Sequence, residues 1–241
     1  LRHVAAKLNA GQPVTVGYFG GSHTDGGGAS DPKKTSWRAL TTAWLQVMWP
    51  AARIREVNAA ISGTNSLYGM FRVEQDLLMV HPDVIFLDFG AVDQGLDSQR
   101  SSRCLESIIR QILKNDPNTD MVMLNGTNKS GATTYDRKEI PRITLAHEAL
   151  ASYYRLPSIA IGRHFWQTIS AGVSTWDSLT KDGNLPLAGV QHERDAFVGF
   201  GDRSQFADQP LGISSIQGQR TNPPSLVVGA GQFLRHRSCM D

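Results

Sequence analysis

The run Gly20-Gly21-Ser22-His23-Thr24 is where this sequence first offers chemistry. A serine becomes a nucleophile when its hydroxyl is exposed at a strand's carboxyl end, with backbone N–H groups nearby to hold developing negative charge. Glycines let the chain turn tightly there. Two other readings share the pattern, a phosphate-binding turn and a plain structural turn. The glycine spacing of a dinucleotide site and the lysine of a P-loop are both absent, which lowers the phosphate reading. His23 could reach a substrate cleft, although a partly exposed turn position is the simpler account. Asp88, inside an apolar run, could orient site groups. The plainer expectation is a side chain hydrogen-bonded near a sheet rim. The segment Asn125-Gly126-Thr127-Asn128-Lys129-Ser130 could line a cleft or form an ordinary solvated loop. Of the other histidines, His81 suits a helix end, and His147 and His164 are expected on helix surfaces. None has the spacing of a metal pair, so neither a metal nor a cofactor is expected. Trp37 and Trp44 sit at core spacing rather than as a platform for sugars.

These groups need elements to position them. Val14 to Phe19 is a β-rich run ending in glycines, and Trp37, Leu40, Trp44, Val47 and Met48 follow at helical spacing until Pro50. Arg53 to Asn58 predicts a second strand and Leu67 to Val80 a helix. Val84-Ile85-Phe86-Leu87-Asp88-Phe89 is the clearest buried strand. Leu105, Ile108, Ile109 and Ile112 mark a helix, with Cys104 among them as core filling. Met121 to Leu124 reads as strand and Asn125 to Thr134 as a polar loop. A helix from near Pro141 to about Arg155 follows, then a short strand over Ser158 to Ile161. Phe165, Trp166 and Ile169 share one face of a further helix. Alternating strands and helices predict a parallel sheet covered on both faces, with its site outside the carboxyl ends of the strands. From about Asn184 the periodicity fades, with Leu226 to Val228 as one strand candidate.

Four segments together resemble the SGNH (GDSL-like) ester hydrolases. Tyr18-Phe19-Gly20-Gly21-Ser22-His23-Thr24 is similar to that family's first block, whose serine is the nucleophile, and Asn58-Ala59-Ala60-Ile61-Ser62-Gly63-Thr64 to its second. Pro82 to Asp93 resembles the strand leading into the third block. Thr180-Lys181-Asp182-Gly183-Asn184-Leu185-Pro186 resembles the segment carrying the family's Asp-x-x-His pair. The resemblance covers about residues 12 to 186. It implies a three-layer α/β/α sandwich around a parallel, flavodoxin-like five-stranded sheet. It implies Ser22 as nucleophile, the N–H groups of Ser22 and Gly63 as oxyanion donors, and Asp182 as the acidic member. The look is closest to bacterial members that remove acetyl groups from carbohydrates, so the expected partner is a small-molecule or carbohydrate ester.

Two positions depart from that pattern. Val92 stands where the third block supplies an oxyanion-binding Asn, and losing one such donor costs about 10²–10³ in rate. Shifting the pairing by one puts Asp93 there instead, and its carboxylate would repel an oxyanion. Leu185 stands where the base should lie, three residues after Asp182. Losing the base costs roughly 10⁶ in turnover. His192 is the nearest substitute, if the loop after Pro186 folds its ring back to Ser22, but it lacks an Asp at the family's spacing.

Composition bounds the rest. The 241 residues suit one α/β domain over 1–186 followed by a segment 187–241 of uncertain structure. A net charge of +2 with no basic run beyond Arg235-His236-Arg237 gives no ground for a nucleic-acid partner. Cys104 and Cys239 make neither a disulfide framework nor a metal site, and no run is apolar enough to span a bilayer. The chain begins at Leu1, which fits an N-terminally incomplete fragment, so the compartment stays open. Three readings follow: an active ester hydrolase, a catalytically impaired relative acting as a binding module, and a chain whose last fifty-odd residues come from a shifted frame or divergent tail. Acyl specificity and oligomeric state stay open.

Overall fold

The computed structural model describes residues 1–180. Five strands, β1 (Val14–Gly20), β2 (Ile54–Asn58), β3 (Val84–Asp88), β4 (Asp120–Leu124) and β5 (Ser158–Ile159), form one parallel sheet in the order β2-β1-β3-β4-β5. Nine α-helices accompany them among the described residues, besides two short 3-10 turns: α1 (Arg2–Asn9), α2 (Ser22–Asp25), α3 (Trp37–Met48), α4 (Ser66–Asp76), α5 (Ser98–Asn115), α6 (Lys129–Asp136), α7 (Arg142–Tyr154), α8 (Ile161–Ser170) and α9 (Trp176–Leu179). This is the expected flavodoxin-like three-layer sandwich.

The period-two alternation of the strands divides the core in two. Val14, Val16 and Tyr18 of β1, with Val84 and Val122, face Val4 and Leu8 of α1 and Leu45 of α3. Phe19, Ile85, Leu87, Met121 and Met123 face the other way, against Val73 of α4 and Leu105, Ile108, Ile109 and Ile112 of α5. The α5 stripe recurs at three- and four-residue steps, which puts it on one helix face. Full burial of each such aliphatic side chain contributes about 1.5–3 kcal/mol. Cys104 is 3% exposed and fills core on that stripe, and burial raises its thiol pKa. Trp37 meets Tyr18 edge-on, its ring 5.3 Å away, as core spacing predicts.

Several elements differ from the sequence reading. The α1 helix has only Val4 and Leu8 to signal it, too few apolar repeats to stand out. Asn125 to Thr134 is not one loop, because α6 begins at Lys129. Asn128 caps it by accepting a hydrogen bond from the Gly131 N–H at 2.9 Å. The last strand stops at Ile159 and α8 begins at Ile161. The 186/187 boundary and the Leu226–Val228 strand lie outside the described residues.

The register sets the site's position. Gly20 pairs with Asp88, and Asp88 with Leu124, so three strands end level. The chain leaves β1 toward β2 on one side and later fills β3 on the other. This switch in strand order opens a crevice at the carboxyl edge.

Candidate active site

One residue, Gly21, separates β1 from α2, and Ser22 opens that helical turn. The two glycines are needed for space rather than for an unusual turn, since Gly21 has φ −102. A Cβ on Gly20 would lie 2.4 Å from the Asp88 carbonyl oxygen. One on Gly21 would lie 2.6 Å from Val92 Cγ1 and 2.8 Å from the Thr64 carbonyl oxygen. Any larger residue would push the β2 and β3 loops away from Ser22. Gly63 is different, with φ +77 and open space around its missing Cβ. There the left-handed backbone itself calls for glycine.

Polar groups fix this corner from beneath. The Thr24 hydroxyl donates to Asp88 Oδ2 at 2.8 Å. The Thr24 carbonyl accepts from Arg38 Nε at 3.1 Å, and Arg38 is ion-paired to Glu56. On the other side, the Gly20 carbonyl accepts from the Ile61 N–H at 3.2 Å and from Arg72 Nη2 at 3.3 Å. Asp88 is buried, as the hydrogen-bonded reading expected. Burial pushes its pKa up, while the adjacent His23 and the Thr24 hydroxyl pull it down.

Ser22 and Gly63 meet in one cleft of about 320 Å³. His23, Thr64, Asn65, Ala91, Val92, Gly95 and Asn128 complete its lining. His23 therefore faces the cleft and is also a partly exposed turn residue, so its two readings coexist. Val92 does stand at the cleft, as the ungapped pairing expected. Asn128 belongs to the segment 125–130 read as a possible cleft lining, whereas Asn65 was not singled out. Each caps a helix through Oδ1, accepting from the Tyr68 and Gly131 N–H groups respectively, and among the described residues Nδ2 of each donates to no partner. Asparagine immediately before a helical run was the available signal. A second cleft of equal volume lies along α5 and is lined by α5 side chains alone, so no strand-end backbone reaches it.

Asp93 is turned inward, so the shifted pairing that would aim its carboxylate at an oxyanion is not the arrangement present. It is fully buried and accepts from the Ser66 N–H at 2.9 Å and from the Ser66 and Ser101 hydroxyls at 2.6 Å each. Behind it lies His147, which is not superficial: it is 1% exposed, with Nε2 2.8 Å from Ser101 Oγ and Nδ1 3.2 Å from Asn125 Oδ1. α7 packs on α5, so this face of the helix meets protein rather than water. Residue type alone cannot show that. Asn125 Nδ2 continues the chain of bonds to Ser158 Oγ at 3.0 Å and to Glu148.

Asp182, Leu185 and His192 lie outside the described residues. Among the described residues, no group of three or more His, Cys, Asp or Glu side chains could hold a metal ion, and no helix is long and apolar enough to cross a membrane.

Comparison with known proteins bears on this geometry. The model of the GDSL-like lipase/acylhydrolase family matches residues 18–185. No curated protein matches the sequence. Among solved structures, a two-domain esterase active on acetylated mannans superposes with a TM-score of 0.74 at 22% identity, over 91% of this chain and 56% of that one. The chain thus spans little more than half of that esterase. An acetylxylan esterase from Geobacillus stearothermophilus gives 0.63 at 19% identity, over 77% of this chain and 92% of the other. A GDSL-like lipase from Parabacteroides merdae gives 0.62 at 20%, over 77% and 94%. These likenesses establish the shared fold. With the family match running from the end of β1 to residue 185, this chain belongs to the GDSL-like lipase/acylhydrolases, the SGNH hydrolases.

Proposed function

We propose that the protein hydrolyses a short acyl ester, an acetyl group on a carbohydrate being the substrate class its neighbours suggest. The observation that carries this reading is the meeting of Ser22 and Gly63 in one cleft at the sheet's carboxyl edge. In this reading Ser22 Oγ attacks the acyl carbonyl carbon while an imidazole takes its proton. The carbonyl oxygen gains negative charge, which the Ser22 and Gly63 N–H groups stabilise. Collapse expels the alcohol, and water then releases the acyl group and regenerates Ser22. His192 is assigned as the imidazole and Asp182 as its orienting partner.

Val92 favours a second reading. Its side chain lines the cleft where the family carries an amide donor, which suits a catalytically impaired binding protein that holds esters without turning them over. Within the first reading, Nδ2 of Asn65 or Asn128 takes over that role.

Hydrolysis of p-nitrophenyl acetate by the parent chain, Ser22→Ala and His192→Ala separates the two. Turnover that falls by about 10⁶ in both variants supports the hydrolase with His192 as base. A parent rate equal to that of Ser22→Ala supports the binding protein.

A further inference from the structure

Arg72 is a buried cation that touches both segments leading to Ser22 and Gly63, and the proposed mechanism leaves it without a task. It lies on α4, its side chain 7% exposed. Nη2 donates to the Gly20 carbonyl at 3.3 Å, and Nη1 donates to the Ala59 carbonyl and, at 2.9 Å, to Asp76 Oδ2. The guanidinium also sits 4.4 Å from the centre of the Phe19 ring. Gly20 lies two residues before Ser22 and Ala59 four before Gly63. One rigid planar cation therefore joins the last carbonyl of β1 to the carbonyl that starts the Gly63 loop. A guanidinium holds such a fork with fixed spacing, whereas an ammonium does not.

Two bonds join these segments directly, one from the Ser62 hydroxyl to Asp25 Oδ2 at 2.7 Å and one from the Ile61 N–H to the Gly20 carbonyl at 3.2 Å. Arg72 takes the other lone pair of that same oxygen. We propose that Arg72 is a positioning residue: its guanidinium sets the separation of the Ser22 and Gly63 N–H groups, and thus the width of the oxyanion site. This rests on the hydrolase reading for its catalytic consequence, although not for the tie itself. Asp76, about one-third exposed, balances the charge and touches neither carbonyl. A displacement of about 1 Å at such donors costs on the order of 10² in rate.

The test compares the parent with Arg72→Met, Arg72→Lys and Asp76→Asn, using two readouts. The first is amide hydrogen exchange, which needs no activity. In both Arg72 variants, exchange of segments 20–25 and 59–64 should accelerate together by about tenfold, while the Met123 N–H in β4 keeps its parent rate. The second is capture of Ser22 by an alkyl fluorophosphonate. In that step the Oγ–P bond forms, P–F breaks, fluoride leaves and the Oγ proton goes to the base. The capture rate and kcat should fall about 10²-fold in Arg72→Met with KM little changed, and less in Arg72→Lys. Asp76→Asn should stay within about twofold of the parent.

Accelerated exchange in only one segment, or in neither, overturns the proposal, as does unchanged capture. If Arg72→Met fails to fold, Arg72→Lys decides by the same criteria. If the parent is neither captured nor active, the hydrolase reading fails, and exchange alone decides whether Arg72 ties the two segments.

Discussion

The two sides of the cleft are held by different means. On the β1/β2 side, buried cations grip backbone carbonyls: Arg38 holds Thr24, and Arg72 holds Gly20 and Ala59. On the β3/β4 side, the grip is a chain of side chains, from Ser66 and Asp93 through Ser101 and His147 to Asn125. In the first arrangement no hydrogen bond among the described residues uses the backbone N–H of Ser22 or Gly63. The second turns its polar groups away from the cleft and leaves Val92 at its surface. A buried network can therefore make a wall rigid without making it catalytic. What matters is which atoms remain unused once the network is satisfied.

Breaking the β3/β4 network should have the larger effect on stability. Asp93→Ala leaves two hydroxyls and one N–H without their acceptor, at about 1–3 kcal/mol for each buried group left unsatisfied. Urea denaturation should therefore show a loss of at least about 3 kcal/mol, with the midpoint moved and the slope unchanged. A loss below about 1 kcal/mol would mean that the network does not hold this wall.

Val92→Asn sharpens the comparison by giving the second wall a donor. If Val92 is all that limits the site, turnover of p-nitrophenyl acetate should rise by about 10²-fold or more. No gain would indicate that Asn65 or Asn128 already supplies the amide.

The smallest effect expected is at Asp88, which lies between the two walls at the end of β3. Burial raises its pKa above the ordinary 3.8, so the folded protein keeps a proton that the unfolded chain releases. The stability this contributes is complete below 3.8 and is lost as pH rises through the folded value. Against Asp88→Asn, the parent should therefore lose stability with rising pH in that window, by up to about 1.4 kcal/mol per pH unit. Paired melting curves that stay parallel across the window would contradict this assignment.

How much could be read beforehand depended on the signal each residue carried. The strands showed because apolar runs such as Val84 to Leu87 must be buried on both faces. Gly20, Gly21 and Ser22 showed as a glycine-serine turn after a β-rich run, and Gly63 through the resemblance of its segment to the family's second block. His147 did not, since a polar residue on a helix looks the same in sequence whether it faces solvent or another helix. α6 was hidden for the same reason, because its polar composition reads as loop until Asn128 is seen to cap it.

The sequence by itself therefore determined the five strands, the longer helices between them, a parallel sheet covered on both faces, and the serine turn at the end of β1, because periodicity and glycine-rich turns are local properties. Only the tertiary structure decided that Val92 faces the cleft while Asp93 turns inward, that His147 is buried, and that Arg72 bridges Gly20 and Ala59. Those outcomes depend on contacts between residues distant in the chain, whose geometry exists only once the sheet has brought the strand ends level.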